Sequence, residues 1–483
     1  MADTAVRAAP AVPVHEPLPL RTKLAFGAGD LGPAIATFVP SFFQFFFLTS
    51  VAGLDPLLAG SVRAILTIWD AINDPFVGWL SDRTRSRLGR RRPWILYGAI
   101  PFGLTYFLQW VVPPFDDTGK FIYYLIVGLL FNMAFTAVNV PYTALTAELT
   151  QDYDERTSLN AFRFAFSIGG SLLTAVLHPL IISRYPDNVA MGYLVSGAIW
   201  GGLCILPFFW CVAGTREKHS ADSVEKGSLP TQLRTAFSNR PFLFVCGIYL
   251  FSWLSVQFTS SILVPYVTFW LGSVPQFPKT ALGITFNRAD DIVPVMLLAV
   301  QGSAFLCLFM WNAVSRRIGK KAVYLTGMIF WIGVQAMLFF VQPEQVGLAI
   351  ILAILAGVGV ATAYIVPWSM MPDVIEYDEL LTGQRREGIF YGLMVLLQKI
   401  GLAAGQFIIG LVLSTAGFLS STGGASVQQP ESALFALRVL IGPAPTVILI
   451  LGMILTWFYP ITREKHAEIM AQLAARREAQ ARP

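Results

Sequence analysis

The sequence predicts an all-α integral membrane protein, with twelve transmembrane helices in two six-helix halves. Three observations carry that expectation. Of the 483 residues, 55% are hydrophobic and 13% charged, where a soluble domain has about 25% charged residues. Apolar runs recur from residue 24 to residue 460, each near or above the roughly 20 residues that cross a bilayer as a helix. The loops between them alternate between strongly basic and nearly charge-free, as expected of loops on opposite sides of a membrane.

The apolar runs lie at about 24–49, 57–80, 93–112, 121–147, 159–182, 190–214, 241–271, 291–314, 322–341, 346–371, 389–415 and 435–460. The run 241–271 is long enough to include a kinked or interfacial end. Residues 1–22 read as a disordered cytoplasmic tail without the apolar core of a secretory signal, and 461–483 as an amphipathic cytoplasmic helix. Cys204, Cys211, Cys246 and Cys307 all sit in apolar runs and form no CxxC motif, so packing is their expected role.

One set of loops holds Arg83, Arg85, Arg87 and Arg90–Arg92; Arg216 to Arg240; Arg316 to Lys321; and Arg385 with Arg386. The positive-inside rule places this set and both termini in the cytoplasm. The net charge of +5 is concentrated there, so it speaks to topology and not to nucleic acid. The basic segment 215–240 divides the chain into halves 23–214 and 241–460. Ser86-Arg87-Leu88-Gly89-Arg90-Arg91 and Ser315-Arg316-Arg317-Ile318-Gly319-Lys320-Lys321 follow the second and eighth spans. A repeat displaced by six helices is the mark of parallel duplicated halves, the major facilitator architecture.

Inside the second span stands Trp69-Asp70-Ala71-Ile72-Asn73-Asp74-Pro75. Asp70, Asn73 and Asp74, spaced i, i+3, i+4, share one helix face. Ionised carboxylates facing lipid cost several kcal/mol or more, so these face a cavity or the bundle interior. Two carboxylates and an amide oxygen make a hard-oxygen cation site. The alternative is that Asp74 caps a helix break before Pro75 while Asp70 pairs with a basic residue. The fourth span adds a polar stripe, Asn132, Thr136, Asn139 and Thr143; the fifth, Asn160, Arg163, Ser167 and Ser171; the first, Asp30, Thr37, Ser41 and Gln44; the eleventh, Lys399. Ser, Thr and Asn stripes also serve as helix–helix glue. Asp30, Arg163, Lys399 and Arg63 need neutralising partners, which Asp70, Asp74 and Asp30 supply; a purely structural ion-pair network stays open.

With these residues placed, the chain resembles the glycoside–pentoside–hexuronide:cation symporter family, typified by melibiose permease. The resemblance rests on Trp69–Pro75, on Thr84–Arg90 followed by Pro93-Trp94, and on Asp373–Tyr377 leading to Arg385–Gly388. It implies a cation site (Na⁺ or H⁺) at Asp70, Asn73, Asp74 and Thr136, with Lys399 beside it; a sodium-coupled carrier would hold Na⁺ at Asp70 and Asp74. It implies a substrate site including Arg163 and Tyr364, with Asp30, Asn139 and Tyr142. Ala34 and Asn139 stand where melibiose permease has sugar-binding aspartates, and Thr67 where many relatives have an arginine. The nearest arginine here is Arg63, one turn away. Asp30 fits a Gly-Asp pattern of pentoside and glucuronide carriers. Val140–Leu145 resembles the vertebrate sodium-dependent lysophospholipid transporter.

The function expected is cation-coupled symport of a sugar or glycoside by alternating access; the alternative cargo is an amphiphile such as a lysophospholipid. A membrane enzyme is not expected. His15, His178, His219 and His466 are scattered, no HExxH occurs, and no nucleophile–base pair suggests itself. No cofactor beyond the coupling cation is expected. The partners are a small-molecule substrate and the bilayer, the oligomeric state a monomer, and the location a bacterial inner membrane. Asp82, Arg90, Arg91, Arg92, Arg385 and Arg386, with Glu376, Asp378 and Glu379, are expected to gate: pairing across the halves when the carrier faces outward, parting when it opens inward.

Overall fold

The computed structural model describes residues 18–150, 153–217, 236–273, 277–384, 386–424 and 427–481. Each of the twelve expected segments is helical in it. The first comprises α1 (Leu20–Ala28) and α2 (Leu31–Val39), extended by π-helical turns Pro40–Gln44 and Phe47–Val51. Then follow α3 (Pro56–Asp82), α4 (Arg92–Leu108), α5 (Asp117–Leu149), α6 (Tyr153–Ile182) and α7 (Val189–Gly214). The second series is α8 (Arg240–Pro265), α9 (Ile292–Ile318), α10 (Lys320–Phe340), α11 (Val346–Thr382), α12 (Glu387–Thr415), α13 (Glu431–Ile441) and α14 (Pro443–Trp457). A short antiparallel hairpin, β1 (Lys279–Ala281) and β2 (Ile284–Phe286), precedes α9. The tail helix is α15 (Arg463–Ala481).

Among the described residues, nine helices are long and apolar enough to cross a membrane. The expected count is twelve, and the shortfall lies in the first three spans. The first is broken at Gly29-Asp30, α3 carries Arg63, Asp70 and Asp74, and α4 has 17 residues. Large apolar side chains such as Ile72, Phe76, Leu206, Leu306 and Phe340 are exposed; in water such a surface would be costly, in lipid it is favourable.

Local chemistry sets the boundaries. Asp55, Asp116, Asn188 and Asn239 each accept a backbone N–H at the start of α3, α5, α7 and α8, which satisfies donors that a helix start leaves free. Pro75 does not break α3, contrary to the capping alternative for Asp74: the helix runs through it to Asp82. The run 241–271 ends in a π-helical turn, Tyr266–Leu271, and 435–460 divides at Gly442. The two repeated basic turns place Gly89 at φ +104° and Gly319 at φ +84°, a left-handed backbone that glycine adopts without strain.

Helices α1–α7 pack on one another, as do α8–α14. The two groups meet along α3 with α12, along α6 with α9, and where Pro40–Gln44 lies on α8. At the α3–α12 crossing a Cβ on Gly60 would come within 2.7 Å of the Gln406 carbonyl oxygen, so only glycine permits this approach. At the end opposite the arginine-rich loop, the groups are tied by backbone. Ser421, Gly423 and Gly424 donate their N–H groups to Thr49, Val51 and Ser50, at 2.8–3.1 Å. The hydroxyls of Ser420 and Ser421 add bonds of 2.8 Å to Leu54 and Ser50 carbonyls.

Candidate functional site

The second-span motif and the eleventh-span lysine come together across the group boundary. Lys399 Nζ on α12 lies 2.7 Å from Asp70 Oδ2 and 2.6 Å from Asp74 Oδ2 on α3. The Thr136 hydroxyl on α5 donates to Asp74 Oδ1 at 2.9 Å and lies 3.5 Å from Asp70 Oδ1. Asp70 and Asp74 keep 24% and 37% of their side-chain surface and Lys399 keeps 15%. The carboxylates are thus within reach of a small solute, while the lysine is nearly enclosed. Asn73 turns elsewhere: it is buried and donates to the Asn132 carbonyl of α5 at 3.3 Å. Asn132 in turn donates to the Leu66 carbonyl at 2.8 Å. These two asparagines clamp α3 to α5 and fix the face that carries the carboxylates.

Asp30 and Arg163 form the other buried pair, Arg163 Nη2 to Asp30 Oδ1 at 3.4 Å. The guanidinium sits 5.0 Å from the Tyr142 ring centre, a cation–π arrangement. Tyr142 itself has no exposed surface, and its hydroxyl donates to the Phe26 carbonyl at 2.7 Å. It therefore stands behind Arg163 without the exposed surface that direct substrate contact would require. Asn139 is half-buried on α5. Tyr364 belongs to the other group, its ring 5.2 Å from that of Trp253. Trp253 is a residue the sequence pattern gave no reason to single out.

The expected charge balance is corrected at one place. Arg63 has no carboxylate partner among the described residues; its Nη1 donates to the Pro40 carbonyl at 2.8 Å and faces Gln44 Oε1 at 3.4 Å.

The expected gate charges pair within their own groups. Arg91 bonds to Asp82 and, at 3.2 Å, to Glu148; Arg90 bonds to Glu148 at 2.6 Å. That hydrogen bond raises the Arg90 guanidinium above its ordinary value. Arg92 donates to the Val212 carbonyl at 2.7 Å. The Glu217 carboxylate collects the backbone N–H groups of Arg90, Arg91 and Arg92 at 2.6, 2.8 and 2.9 Å. In the second group Arg386 bonds to Asp378 at 2.7 Å and Lys320 to Asp373 at 2.7 Å. Arg385 lies outside the described residues. Each repeated basic turn thus binds a carboxylate at the end of the fourth span of its own half, Glu148 or Asp373. No ion pair joins the halves at this end among the described residues.

Two histidines depart from the scattered reading. His466 of α15 reaches Glu376 at 2.6 Å and helps dock the tail helix, whose Ile469 and Leu473 are buried. His178 Nδ1 lies 2.7 Å from the Ser196 hydroxyl. By distance that is a nucleophile–base pair, but both residues are fully buried, with the rings of Phe43, Trp110 and Tyr193 around the imidazole. No substrate reaches it, and the pair is a packing element.

Helices in two packed groups, lipid-compatible surfaces and charges buried where the groups meet define a multi-pass membrane transporter of the major facilitator type. Residues 25–463 match the family described as MFS/sugar transport protein. The chain belongs to that family, in its glycoside–pentoside–hexuronide:cation symporter branch. An uncharacterized symporter of Synechocystis is 44% identical, covering 96% of this chain and 98% of its own length. The glucuronide carrier protein homolog of Escherichia coli is 26% identical over 97% of this chain and 98% of its own. A sodium-dependent lysophosphatidylcholine symporter of Danio rerio is 28% identical over 92% and 86%. Among solved structures, that of the nucleoside transporter NupG aligns over 91% of this chain and 99% of its own with a TM-score of 0.64, at 15% identity, which speaks to the fold alone.

Proposed function

We propose that this protein is a secondary active symporter that couples a cation, Na⁺ or H⁺, to the uptake of a sugar or glycoside by alternating access. The observation that carries the reading is Lys399 of one group bridging Asp70 and Asp74 of the other at 2.7 and 2.6 Å. Halves 23–214 and 241–460 move against each other, and this bridge spans their boundary. Without a cation, Lys399 bridges both carboxylates and offsets one of their two negative charges. A cation at Asp70 and Asp74, helped by the Thr136 hydroxyl, takes the lysine's place and releases α12 from α3. Asn73 supports the site by holding α3 on α5. Arg163 and Asp30 bind the substrate from one half, Tyr142 holding the guanidinium from behind; Asn139 and Tyr364 complete the cavity.

The protein acts as a monomer in a bacterial inner membrane with both termini cytoplasmic. In that orientation the backbone ties at 49–54 and 420–424 close the outer side, and the unjoined arginine-rich ends face the cytoplasm. Asp82 and Arg90–Arg92 then hold the first half together, and Arg386 with Asp378 the second, while this side is open.

The sugar reading is favoured by the family and by the relative named a glucuronide carrier homolog. An amphiphile is the second reading, favoured by the relative named a lysophosphatidylcholine symporter and by the Val140–Leu145 stretch. Uptake of radiolabelled glucuronides, pentosides and lysolipids into proteoliposomes, with and without Na⁺ or pH gradients, separates them. The expected result is gradient-dependent accumulation of a sugar derivative. Accumulation of lysolipid alone moves the protein to the second reading, and no gradient dependence with any cargo contradicts both.

A further inference from the structure

Arg63 is the charge that the symport scheme leaves unused. Its residue is only 7% exposed, yet no carboxylate pairs with it among the described residues. A buried guanidinium presents five N–H donors and is always charged. Here Nη1 serves the Pro40 carbonyl and Gln44, while Nε is sealed from solvent without a partner and Nη2 donates to no described protein atom. Gln109 Nε2, beside it, is also buried and unpartnered. Both residues line a polar recess of about 200 Å³, together with Thr37, Thr67, Asp70 and Gln406. Unpaired donors around a fixed positive charge form a receptor for an acceptor that carries negative charge.

One carboxylate, Asp70, faces the same recess, and its charge opposes an incoming anion. That charge is already engaged by Lys399 at 2.7 Å. The set Arg63, Lys399, Asp70 and Asp74 sums to zero. A cation added at the two aspartates makes the sum +1, and Arg63 then lies nearest the unfilled donors.

We propose that Arg63, with Gln109 and Gln44 beside it, binds a small monovalent anion in this recess, a halide or a carboxylate of about formate size. The ligand class follows from the unpartnered donors, which are N–H groups, from one full positive charge, and from limited space. This anion site is separate from the Arg163 site, whose guanidinium is already bound to Asp30. Only the further step, that the coupling cation strengthens anion binding, rests on the cation site proposed above.

The test is equilibrium binding of radiolabelled chloride to the purified protein in nanodiscs, with formate as competitor, in the presence and absence of Na⁺ and across a range of pH. Saturable binding that formate displaces is expected. Arg63→Gln should weaken it about tenfold or more, the loss of a hydrogen-bonded charge. Arg63→Lys keeps the charge with fewer donors and should fall between. Because the lysine variant retains partial binding, a folding failure in the glutamine variant is distinguishable from loss of the site. No saturable chloride binding, equal binding in Arg63→Gln, or loss in Arg163→Gln instead would overturn the proposal. Chloride binding that depends on Arg63 but is indifferent to both Na⁺ and pH supports the anion site and counts against the cation site.

Discussion

The two buried ion-pair sets differ in where their partners live. Asp30 and Arg163 both belong to α1–α7: one lies between α1 and α2, the other on α6. Asp70 and Asp74 are on α3, but Lys399 is on α12, across the boundary. A pair inside one group travels with it and stays bonded whichever way the carrier faces. A pair across the boundary is stretched when the groups move, so its free energy differs between conformations. Only the second kind couples an ion to a conformational change, because a ligand shifts an equilibrium solely through its differential affinity for the two states. The first kind suits a substrate contact that must keep its shape throughout the cycle.

The largest effect expected from breaking this contrast is at Lys399. Lys399→Ala removes the cross-boundary counter-charge and leaves two carboxylates one turn apart on α3. Their mutual repulsion then favours the cation, so apparent cation affinity should rise by about tenfold or more. Uphill accumulation should fall to background, because a cation that no longer displaces anything no longer changes the state. Uptake titrated against Na⁺ and pH reads both quantities; an unchanged cation dependence would place Lys399 outside the coupling.

Asp30→Asn should show the opposite pattern. Arg163 loses its one ion-pair partner among the described residues, leaving a nearly buried charge unmatched at a cost of roughly 1–3 kcal/mol. The expected outcome is a melting temperature several degrees lower and lost substrate binding, with cation binding retained. Loss of cation binding alongside would mean that the two sets are one network and the contrast is false.

The smallest effect belongs to the outer ties. Most of their hydrogen bonds come from backbone and survive side-chain changes. Ser421→Ala removes a single bond to the Ser50 carbonyl, worth about 1 kcal/mol. That shifts the balance toward outer opening about fivefold, readable as faster labelling of a cysteine placed at Thr422 from the outside. A slower rate would mean that these contacts do not hold the closed state.

Much of this arrangement was legible in the sequence, unevenly. Asp70 and Asp74 were, because charge in an apolar run has few physical explanations and helical spacing puts them on one face. The repeated turns were legible through Gly89 and Gly319, whose positive φ angles need glycine. Lys399 was legible as a buried cation, but only the family resemblance put it near the aspartates. Glu148 and Glu217 were missed, although they anchor the arginine loop. Each sits at a helix end or in a mixed-charge segment, where an acidic residue is ordinary, and their partners are distant in sequence. The outer ties were missed for a similar reason: the Ser/Gly run 420–424 acts through its backbone, which composition does not reveal. The gate charges pair with Glu148 and Asp378 inside their own halves in this conformation, and pairing across the halves was expected of the outward-facing state alone. Tyr142 was expected at the cavity wall and is instead a buried support, since a stripe on a helix does not say which stratum faces solvent.

The central claim is that the Asp70–Asp74 site, cation and substrate share one conformational equilibrium. The most direct test is substrate binding to the purified protein titrated at several Na⁺ and H⁺ concentrations, for the unmodified chain and for Asp70→Asn/Asp74→Asn. In the unmodified chain, cation and substrate must each raise the other's affinity by the same factor. The account predicts that factor to fall to one in the double variant, with basal substrate binding through Arg163 surviving. A double variant in which substrate affinity still rises with the cation as before would contradict it.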